Sequence, residues 1–253
     1  MGSGAAVETR HNEPVHSDAL APLDRSFDAI LFDAGGILVL PDPEVLGPLL
    51  SYYGGDPAIA RHRRAHYSAM AAKSAAGSGE AFWQDYDVAY VVSVGVPAAD
   101  VDEAAYTLAH TRNAHLWRWA IPESLEALWL LHAAGMPMGV VSNASGQIED
   151  VLRRSGVCQV GAGAGVPMRV VVDSHVVGVA KPDPAIFAPA LEHFAEIDLD
   201  RIAYVGDSVT MDVGGARAAG LHPILLDPHD DHPDAEFDRI HSLLDLVRYR
   251  VGP

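Results

Sequence analysis

The apolar run from Ala29 to Phe32 limits the fold more than any other segment, because all four of its residues are hydrophobic. A strand with alternating polar residues can leave one face in water, whereas a wholly apolar strand is covered on both faces. The run therefore predicts a buried strand of a parallel sheet. Asp33 follows it and the chain then turns at Gly35 and Gly36, which places an exposed, rigid carboxylate at the strand end.

Strands and helices alternate again in the second half of the chain. Strands are predicted at Met138–Ser142, Val170–Val172, Val176–Val179, Ile202–Val205 and Pro223–Leu226. Helices are predicted at Glu123–Ala134, Ser145–Arg154, Asp183–Phe194 and Asp212–Ala219, the third with Asp183 as its N-cap. This alternation is typical of an α/β fold with a doubly wound parallel sheet.

The segment from Pro43 to about Ala120 has a different pattern, since its apolar residues recur at helical spacing and no strand is predicted within it. Breakers that contain glycine divide it into several helices. Because it follows the first strand, we expect it above the carboxyl end of the sheet, where such folds bind ligands. The predicted organisation is a mobile N-terminal tail at 1–26, a core domain at 27–42 and 121–253, and a helical cap domain at 43–120.

Composition excludes several classes of partner. The formal net charge is −17, which disfavours nucleic acid and anionic membranes, and no apolar stretch is long enough for a membrane span. An anionic substrate would need compensation from a metal ion or a few cations, and Lys73 and Lys181 are the only lysines. The single cysteine, Cys158, fits a reducing compartment, so we expect a cytoplasmic protein, monomeric or homodimeric, that acts on a small molecule.

Polar side chains lie at the ends of the predicted strands. They are Asp33, Ser142 with Asn143, Lys181, and Asp207 with Asp212 five residues further on. In a doubly wound sheet all of these can converge on one crevice. Asp33 and Asp207 offer the hard oxygen ligands that Mg²⁺ prefers, and Asp212 could orient a metal-bound water or cap a helix. Ser142 offers a hydroxyl and nearby amides to a phosphate, and Lys181 offers a positive charge.

The set resembles the haloacid dehalogenase (HAD) superfamily of hydrolases, in the branch whose helical cap lies between the first two motifs. The motifs are Phe32-Asp33-Ala34-Gly35-Gly36, Val141-Ser142-Asn143, Lys181-Pro182-Asp183-Pro184-Ala185-Ile186-Phe187, and Val205-Gly206-Asp207-Ser208 with Asp212. The resemblance implies a Rossmann-like core and a phosphatase in which Asp33 is the nucleophile and Lys181 assists it. It also implies Mg²⁺ at Asp33, Asp207, Asp212 and the main-chain carbonyl of Gly35, and phosphate ligands at Ser142, Asn143 and Lys181.

Gly35 departs from the usual pattern, because HAD phosphatases commonly carry a second Asp there as general acid and base. Such a group contributes roughly 10²- to 10⁴-fold to the rate. The substrate could therefore have a good leaving group, such as an acyl or enol phosphate, or a cap residue could supply the proton, or turnover could be feeble. The alternatives are a weakly active or non-catalytic protein that binds a phosphorylated ligand, and a phosphonatase-like or dehalogenase-like hydrolase.

The predicted cap contains the candidates for a replacement acid. His62 and His66 lie in its basic segment, where they either replace the acid or belong to a solvated helix face. Lys73 is the only cap lysine, which a phosphonatase-like reaction would use to form an imine. We interpret a late group of histidines and aspartates as a polar loop; it consists of His222, His229, Asp230, Asp231 and His232. We interpret the four tryptophans as packing residues; they are Trp83, Trp117, Trp119 and Trp129.

Overall fold

The computed structural model describes residues 26–79 and 81–250, so the predicted tail lies outside the described residues except for Ser26. The strands are β1 (Ala29–Phe32), β2 (Val39–Pro41), β3 (Trp117–Ala120), β4 (Met138–Ser142), β5 (Cys158–Val160), β6 (Val166–Met168), β7 (Val171–Asp173), β8 (Ile202–Gly206), β9 (His222–Leu226) and β10 (Asp238–Ile240). The helices are α1 (Pro43–Ser51), α2 (Ile59–Ala75), α3 (Gln84–Ser93), α4 (Val101–Thr111), α5 (Pro122–Ala133), α6 (Ile148–Arg154), α7 (Ser174–Val177), α8 (Ala188–Leu191), α9 (Gly214–Ala218) and α10 (Leu243–Arg250).

The main sheet has six strands in the order β10-β9-β8-β1-β4-β7, and every neighbouring pair is parallel. Strand β1 lies between β8 and β4, and its side chains divide between two hydrophobic clusters. Ile30 and Phe32 belong to one cluster, and Ala29 and Leu31 belong to the other. Because successive residues of a strand face opposite sides, both faces of the sheet are covered. The prediction of a buried central strand in an α/β Rossmann-like fold is confirmed.

Helices α1 to α4 lie between β2 and β3 and are called the helical insertion below. They have a hydrophobic cluster of their own, which includes Leu46, Leu50, Tyr86 and Tyr90. Strands β2 and β3 pair antiparallel where the chain leaves and re-enters the rest of the fold. Because β3 falls inside 43–120, the prediction of a wholly helical segment is wrong at its end.

The strand predicted at Val176–Val179 is also wrong, because helix α7 includes Val176 and Val177 and ends at Gly178. The Asp173 side chain accepts a hydrogen bond from the N–H of His175 at 2.9 Å and caps the helix start. Gly178, with φ of 76°, ends it in the left-handed conformation that glycine tolerates. Local capping thus overrides the β-propensity of two adjacent valines.

Two predicted helices differ from the regular α-form. Asp183 caps a 3₁₀ turn over Pro184–Phe187 that leads into α8, and Val209–Val213 is a π-helical turn before α9. Strands β5, β6 and β10 are short and were not predicted. None of the helices in the described part of the chain is both long and apolar enough to cross a membrane.

Candidate functional site

The predicted site residues lie at or after the carboxyl ends of β1, β4 and β8, which are adjacent in the sheet, except for Lys181, which follows α7. A cavity of about 340 Å³ opens there, between the sheet and the helical insertion. All seven predicted site residues line it, namely Asp33, Gly35, Ser142, Asn143, Lys181, Asp207 and Asp212. Adjacent parallel strands bring together residues that lie up to 179 positions apart in the sequence.

Lys181 lies at the centre of a buried polar network. Its Nζ is 2.7 Å from Asp212 Oδ1, 2.9 Å from Asp33 Oδ1 and 2.8 Å from the hydroxyl of Tyr204. That hydroxyl donates to the carbonyl of Val141 at 2.8 Å, so it accepts from Lys181. Burial acts to lower the pKa of Lys181, but Asp212 and Asp33 raise it above its ordinary value. The lysine therefore stays charged.

The surroundings of Asp33 disfavour its charged form, whereas those of Lys181 favour the charged form. Burial raises the pKa of its carboxyl to about 7, and the nearby Asp212 and Asp207 add to the rise against the effect of Lys181. Three carboxylates and one cation therefore share a space largely closed to water. Further positive charge at this point would favour the ionised, nucleophilic form of Asp33.

Asp212 has both of its oxygens engaged. Oδ1 contacts Lys181, and Oδ2 accepts from the N–H groups of Asp207 at 3.1 Å and Ser208 at 2.9 Å. A Cβ atom at Gly206 would lie 2.2 Å from Asp212 Cγ, so the close approach requires glycine. The N-cap of the following turn is Ser208 rather than Asp212, because the Ser208 hydroxyl accepts from the N–H of Met211. Asp212 thus holds the loop that carries Asp207.

The carboxylates fit a hard divalent cation. Ligand oxygens of Asp33, Asp207 and Asp212 lie within 4.8 Å of one another. Among the described residues, none donates a hydrogen bond to Asp33 Oδ2 or Asp207 Oδ1, whereas the oxygens of Asp212 are occupied. Asp33 and Asp207 would therefore supply direct ligands for Mg²⁺, and Asp212 would act by holding its neighbours.

Asn143 holds the segment that carries Lys181. Its Oδ1 accepts from the N–H of Lys181 at 2.8 Å, and its Nδ2 donates to the carbonyl of the same residue at 3.1 Å. Ser142 is buried at the end of β4 and lines the cavity beside it. The Asn143 side chain thus positions the lysine main chain.

The helical insertion contributes His66 to the site. Its Nε2 lies 2.8 Å from Asp207 Oδ2, and its Nδ1 lies 2.9 Å from the hydroxyl of Tyr86. The sequence left His62 and His66 equivalent, but His62 contacts Tyr90 inside the insertion and does not line the cavity. Gly36 permits this approach, since a Cβ atom there would lie 2.7 Å from His66 Nε2.

Trp117 covers Gly35, the position of the missing acid. A Cβ atom at Gly35 would lie 3.1 Å from the Trp117 ring, which is closer than ordinary van der Waals contact. Trp83 and Trp117 pack against the hydrophobic cluster of the helical insertion, as their interpretation as packing residues expects, and both also line the cavity. An aromatic ring thus occupies the space beside Gly35.

His222, His229, Asp230, Asp231 and His232 are not among the residues that line the cavity. His222 Nε2 contacts Asp238 at 2.6 Å, and Asp230 pairs with Arg239 and His241. Among the described residues, only Asp33, Asp207 and Asp212 come together as a group that could hold a metal ion. The interpretation of the late cluster as a polar loop is consistent with these contacts.

The fold and the four converging motifs define a HAD-type hydrolase core. The family model described as haloacid dehalogenase-like hydrolase matches residues 27–220. The chain therefore belongs to the haloacid dehalogenase-like hydrolase family, as the motifs predicted.

Similarities to individual proteins agree with this assignment. The chain is 37% identical over 144 residues to haloacid dehalogenase-like hydrolase domain-containing protein 3 of Bos taurus, covering 53% of this chain and 54% of the relative. It is 30% identical over 157 residues to glyceraldehyde 3-phosphate phosphatase of Methanopyrus kandleri, covering 57% and 64%. The chain thus matches about half to two thirds of the length of these relatives. A HAD phosphatase from Thermococcus onnurineus shares the fold, with a TM-score of 0.54, 20% identity, and coverage of 89% and 98%.

Proposed function

We propose that this protein is a Mg²⁺-dependent phosphatase that acts on a small phosphorylated metabolite through an aspartyl-phosphate intermediate. The observation that carries the proposal is the meeting of Asp33, Asp207 and Lys181 at one cavity, with Ser142 beside them. Family membership and the similarity to a glyceraldehyde 3-phosphate phosphatase support phosphoryl chemistry.

The proposed reaction has two displacements. A carboxylate oxygen of Asp33 attacks phosphorus, the bond from phosphorus to the leaving oxygen breaks, and the alcohol or acid portion leaves with the electron pair. Water then attacks the phosphorus of the aspartyl phosphate, which releases inorganic phosphate and restores Asp33. Lys181 and the Ser142 hydroxyl stabilise charge on the phosphoryl oxygens.

Asp33, Asp207 and the Gly35 carbonyl would hold Mg²⁺, and the ion would supply positive charge to the phosphoryl oxygens and to the Asp33 carboxylate. The raised pKa of Asp33, about 7, supports this assignment, since added positive charge favours its ionised form. Asp212 keeps Asp207 and Lys181 in place through its four contacts. The helical insertion lines one side of the cavity, and we expect it to limit the access of bulk water as a cap would.

The leaving group is the second element of the proposal. With glycine at position 35 and the Trp117 ring against it, no carboxylic acid stands there to protonate a departing alkoxide. We therefore infer that the substrate releases a group that is stable as an anion, such as an acyl or enol phosphate. A positioned acid raises the rate by roughly 10²- to 10⁴-fold. Without it, we expect the rate for substrates with poor leaving groups to be lower by a factor of that order.

A leaving-group series tests both elements. Phosphate release is measured with p-nitrophenyl phosphate, phenyl phosphate and an alkyl phosphate, each with Mg²⁺ and with EDTA. We expect Mg²⁺-dependent turnover that falls by roughly 10²-fold or more from the first substrate to the last. Asp33→Asn is the inactive control. Equal rates along the series would contradict the inference about the leaving group, and activity in Asp33→Asn would contradict the nucleophile.

Phosphonatase-like chemistry is a second candidate, because Lys73 lines the same cavity as Asp33. In that reaction the Lys73 amine condenses with a substrate carbonyl and releases water. Asp33 then attacks phosphorus, and the electrons of the breaking carbon–phosphorus bond enter the imine to form an enamine. Borohydride reduction in the presence of a carbonyl-bearing phosphonate would fix the substrate to Lys73, and an unchanged protein mass would contradict this candidate.

A further inference from the structure

Helix α2 of the helical insertion contacts both core segments that carry the candidate metal ligands. These segments, called the metal loops below, are residues 33–36 and residues 206–209. His66 reaches the second loop, with its Nε2 2.8 Å from Asp207 Oδ2. The next residue, Tyr67, reaches the first loop, because its hydroxyl donates to the Gly36 carbonyl at 2.9 Å. Two adjacent residues of one helix thus contact both loops.

The two metal loops meet where α2 contacts them. A Cβ atom at Gly36 would lie 1.9 Å from Asp207 Oδ2 and 2.7 Å from His66 Nε2, so the main chain of the first loop passes directly beside both groups. The carbonyl that Tyr67 holds is also the next one along the chain from that of Gly35, the proposed main-chain ligand. A shift of α2 would therefore move ligand groups in both loops.

The Tyr67 side chain anchors α2 in the core. Its ring belongs to the same hydrophobic cluster as Ile30 and Phe32 of strand β1, although the residue itself lies in the helical insertion. Burial raises the pKa of Tyr67, so its hydroxyl stays protonated and donates to the first metal loop. The buried ring thus places a hydrogen-bond donor at a fixed point of the candidate site.

Further contacts hold α2 against the core on either side of Tyr67. Arg64 Nη2 donates to Asp231 Oδ1 at 2.7 Å. Ser74 Oγ accepts from the N–H of Val209 at 3.3 Å, which is a second contact with the metal loop that carries Asp207. The helix is therefore fixed along its length where it supports the two loops.

We propose that Tyr67 is a positioning residue of the magnesium site and that, together with His66, it couples docking of the helical insertion to Mg²⁺ binding. This rests on the proposed function, in which Mg²⁺ binds at Asp33, Gly35 and Asp207. Groups that hydrogen-bond to the surroundings of a metal orient its ligands, and their loss typically weakens metal affinity 10- to 100-fold. Such coupling is reciprocal, so a docked α2 favours the ion and the ion favours a docked α2.

A matched pair of tyrosine variants tests the positioning role. Dissociation constants for Mg²⁺ are measured by calorimetry with wild type, Tyr67→Phe and Tyr90→Phe. Tyr67→Phe keeps the ring in the core cluster and removes only the hydroxyl, and we expect it to bind Mg²⁺ roughly 10-fold more weakly. Tyr90 is also buried, but its hydroxyl contacts His62 inside the insertion at 2.9 Å. Tyr90→Phe should therefore leave the Mg²⁺ constant unchanged.

Amide hydrogen exchange of the wild-type protein tests the coupling without any substitution. Exchange is compared in EDTA and in saturating Mg²⁺. We expect Mg²⁺ to slow exchange in α2 by up to roughly 100-fold at a concentration about 100 times the dissociation constant. Helix α10 is the internal control, because none of its described residues lines the cavity, and Mg²⁺ should slow its exchange less.

Wild-type Mg²⁺ affinity in Tyr67→Phe, or equal weakening in Tyr90→Phe, would overturn the positioning role. Exchange in α2 that Mg²⁺ slows no more than exchange in α10 would overturn the coupling. Thermal melts in EDTA confirm that each variant is folded. If the wild-type protein binds no Mg²⁺ at millimolar concentration, the proposed metal site fails and this proposal fails with it. Metal binding that Tyr67→Phe does not change overturns the role of Tyr67 alone.

Discussion

Replacement of Asp33 by Asn should stabilise the metal-free protein while it abolishes turnover. Burial and the neighbouring carboxylates raise the pKa of Asp33 from 3.8 to about 7. The folded chain therefore binds this proton more tightly than the unfolded chain does. As the pH rises from about 4 to 7, the unfolded state loses its proton first, and the free energy of unfolding falls. Above pH 7 the folded chain carries a costly ionised Asp33.

The size of the effect follows from the same values. One pKa unit corresponds to about 1.36 kcal/mol, so ionised Asp33 costs at most about 4 kcal/mol relative to the unfolded chain. The Asn side chain carries no charge and leaves Lys181 paired with Asp212. For a chain of this size, each kcal/mol shifts Tm by roughly 2 to 4 °C. We expect Asp33→Asn to melt several degrees higher than wild type at pH 8.

The assay is a thermal melt in EDTA at pH 5 and pH 8 for wild type, Asp33→Asn and Asp100→Asn, the last as an exposed control. The gain of Asp33→Asn should be clearly larger at pH 8 than at pH 5, and Asp100→Asn should show no such difference. If Asp33→Asn melts below wild type at pH 8, the reasoning about the charge balance of the site is refuted.

Three further predictions concern the neighbours of Asp33. His66→Ala should weaken Mg²⁺ binding measured by calorimetry, because His66 contacts Asp207, whereas His66→Gln should keep most of it and His62→Gln should leave it unchanged. If His66→Gln is as impaired as His66→Ala in steady-state kinetics, the histidine does more than hold Asp207. Gly35→Asp alone should not raise turnover of an alkyl phosphate, since its Cβ would meet the Trp117 ring at 3.1 Å, and a large gain would contradict that steric argument. Tyr204→Phe should lower Tm by a few degrees, because it removes a buried hydroxyl bonded to Lys181 and Val141, and an unchanged melt would contradict its role.

The sequence predicted the sheet and the positions of Asp33, Ser142, Lys181 and Asp207, because strand ends and short motifs are local features. It did not predict α7, where the cap at Asp173 and the turn at Gly178 outweigh the β-propensity of the valines. Local patterns also gave no reason to prefer His66 over His62, because the choice depends on how α2 is rotated against Asp207.

Other parts of the site depend on tertiary contacts alone. Tyr204 sits within an apolar strand and looks like a core residue, yet its hydroxyl meets Lys181. Trp117 lies 82 positions after Gly35 and covers it only because β3 pairs with β2. Lys73 lies on α2 and Arg112 directly follows α4, and both contact the ring of Trp83. The spacing of these residues in the sequence does not predict that they contact one another.

The central claim is that Asp33 forms a covalent phosphoryl intermediate in the presence of Mg²⁺. It is tested most directly by intact-mass measurement after a rapid acid quench during turnover of p-nitrophenyl phosphate. We predict a fraction of the wild-type protein that gains one phosphoryl group, loses it on treatment with hydroxylamine, and is absent with EDTA or in Asp33→Asn. Phosphate release by Asp33→Asn, or a phosphoryl adduct on another residue, would contradict the account.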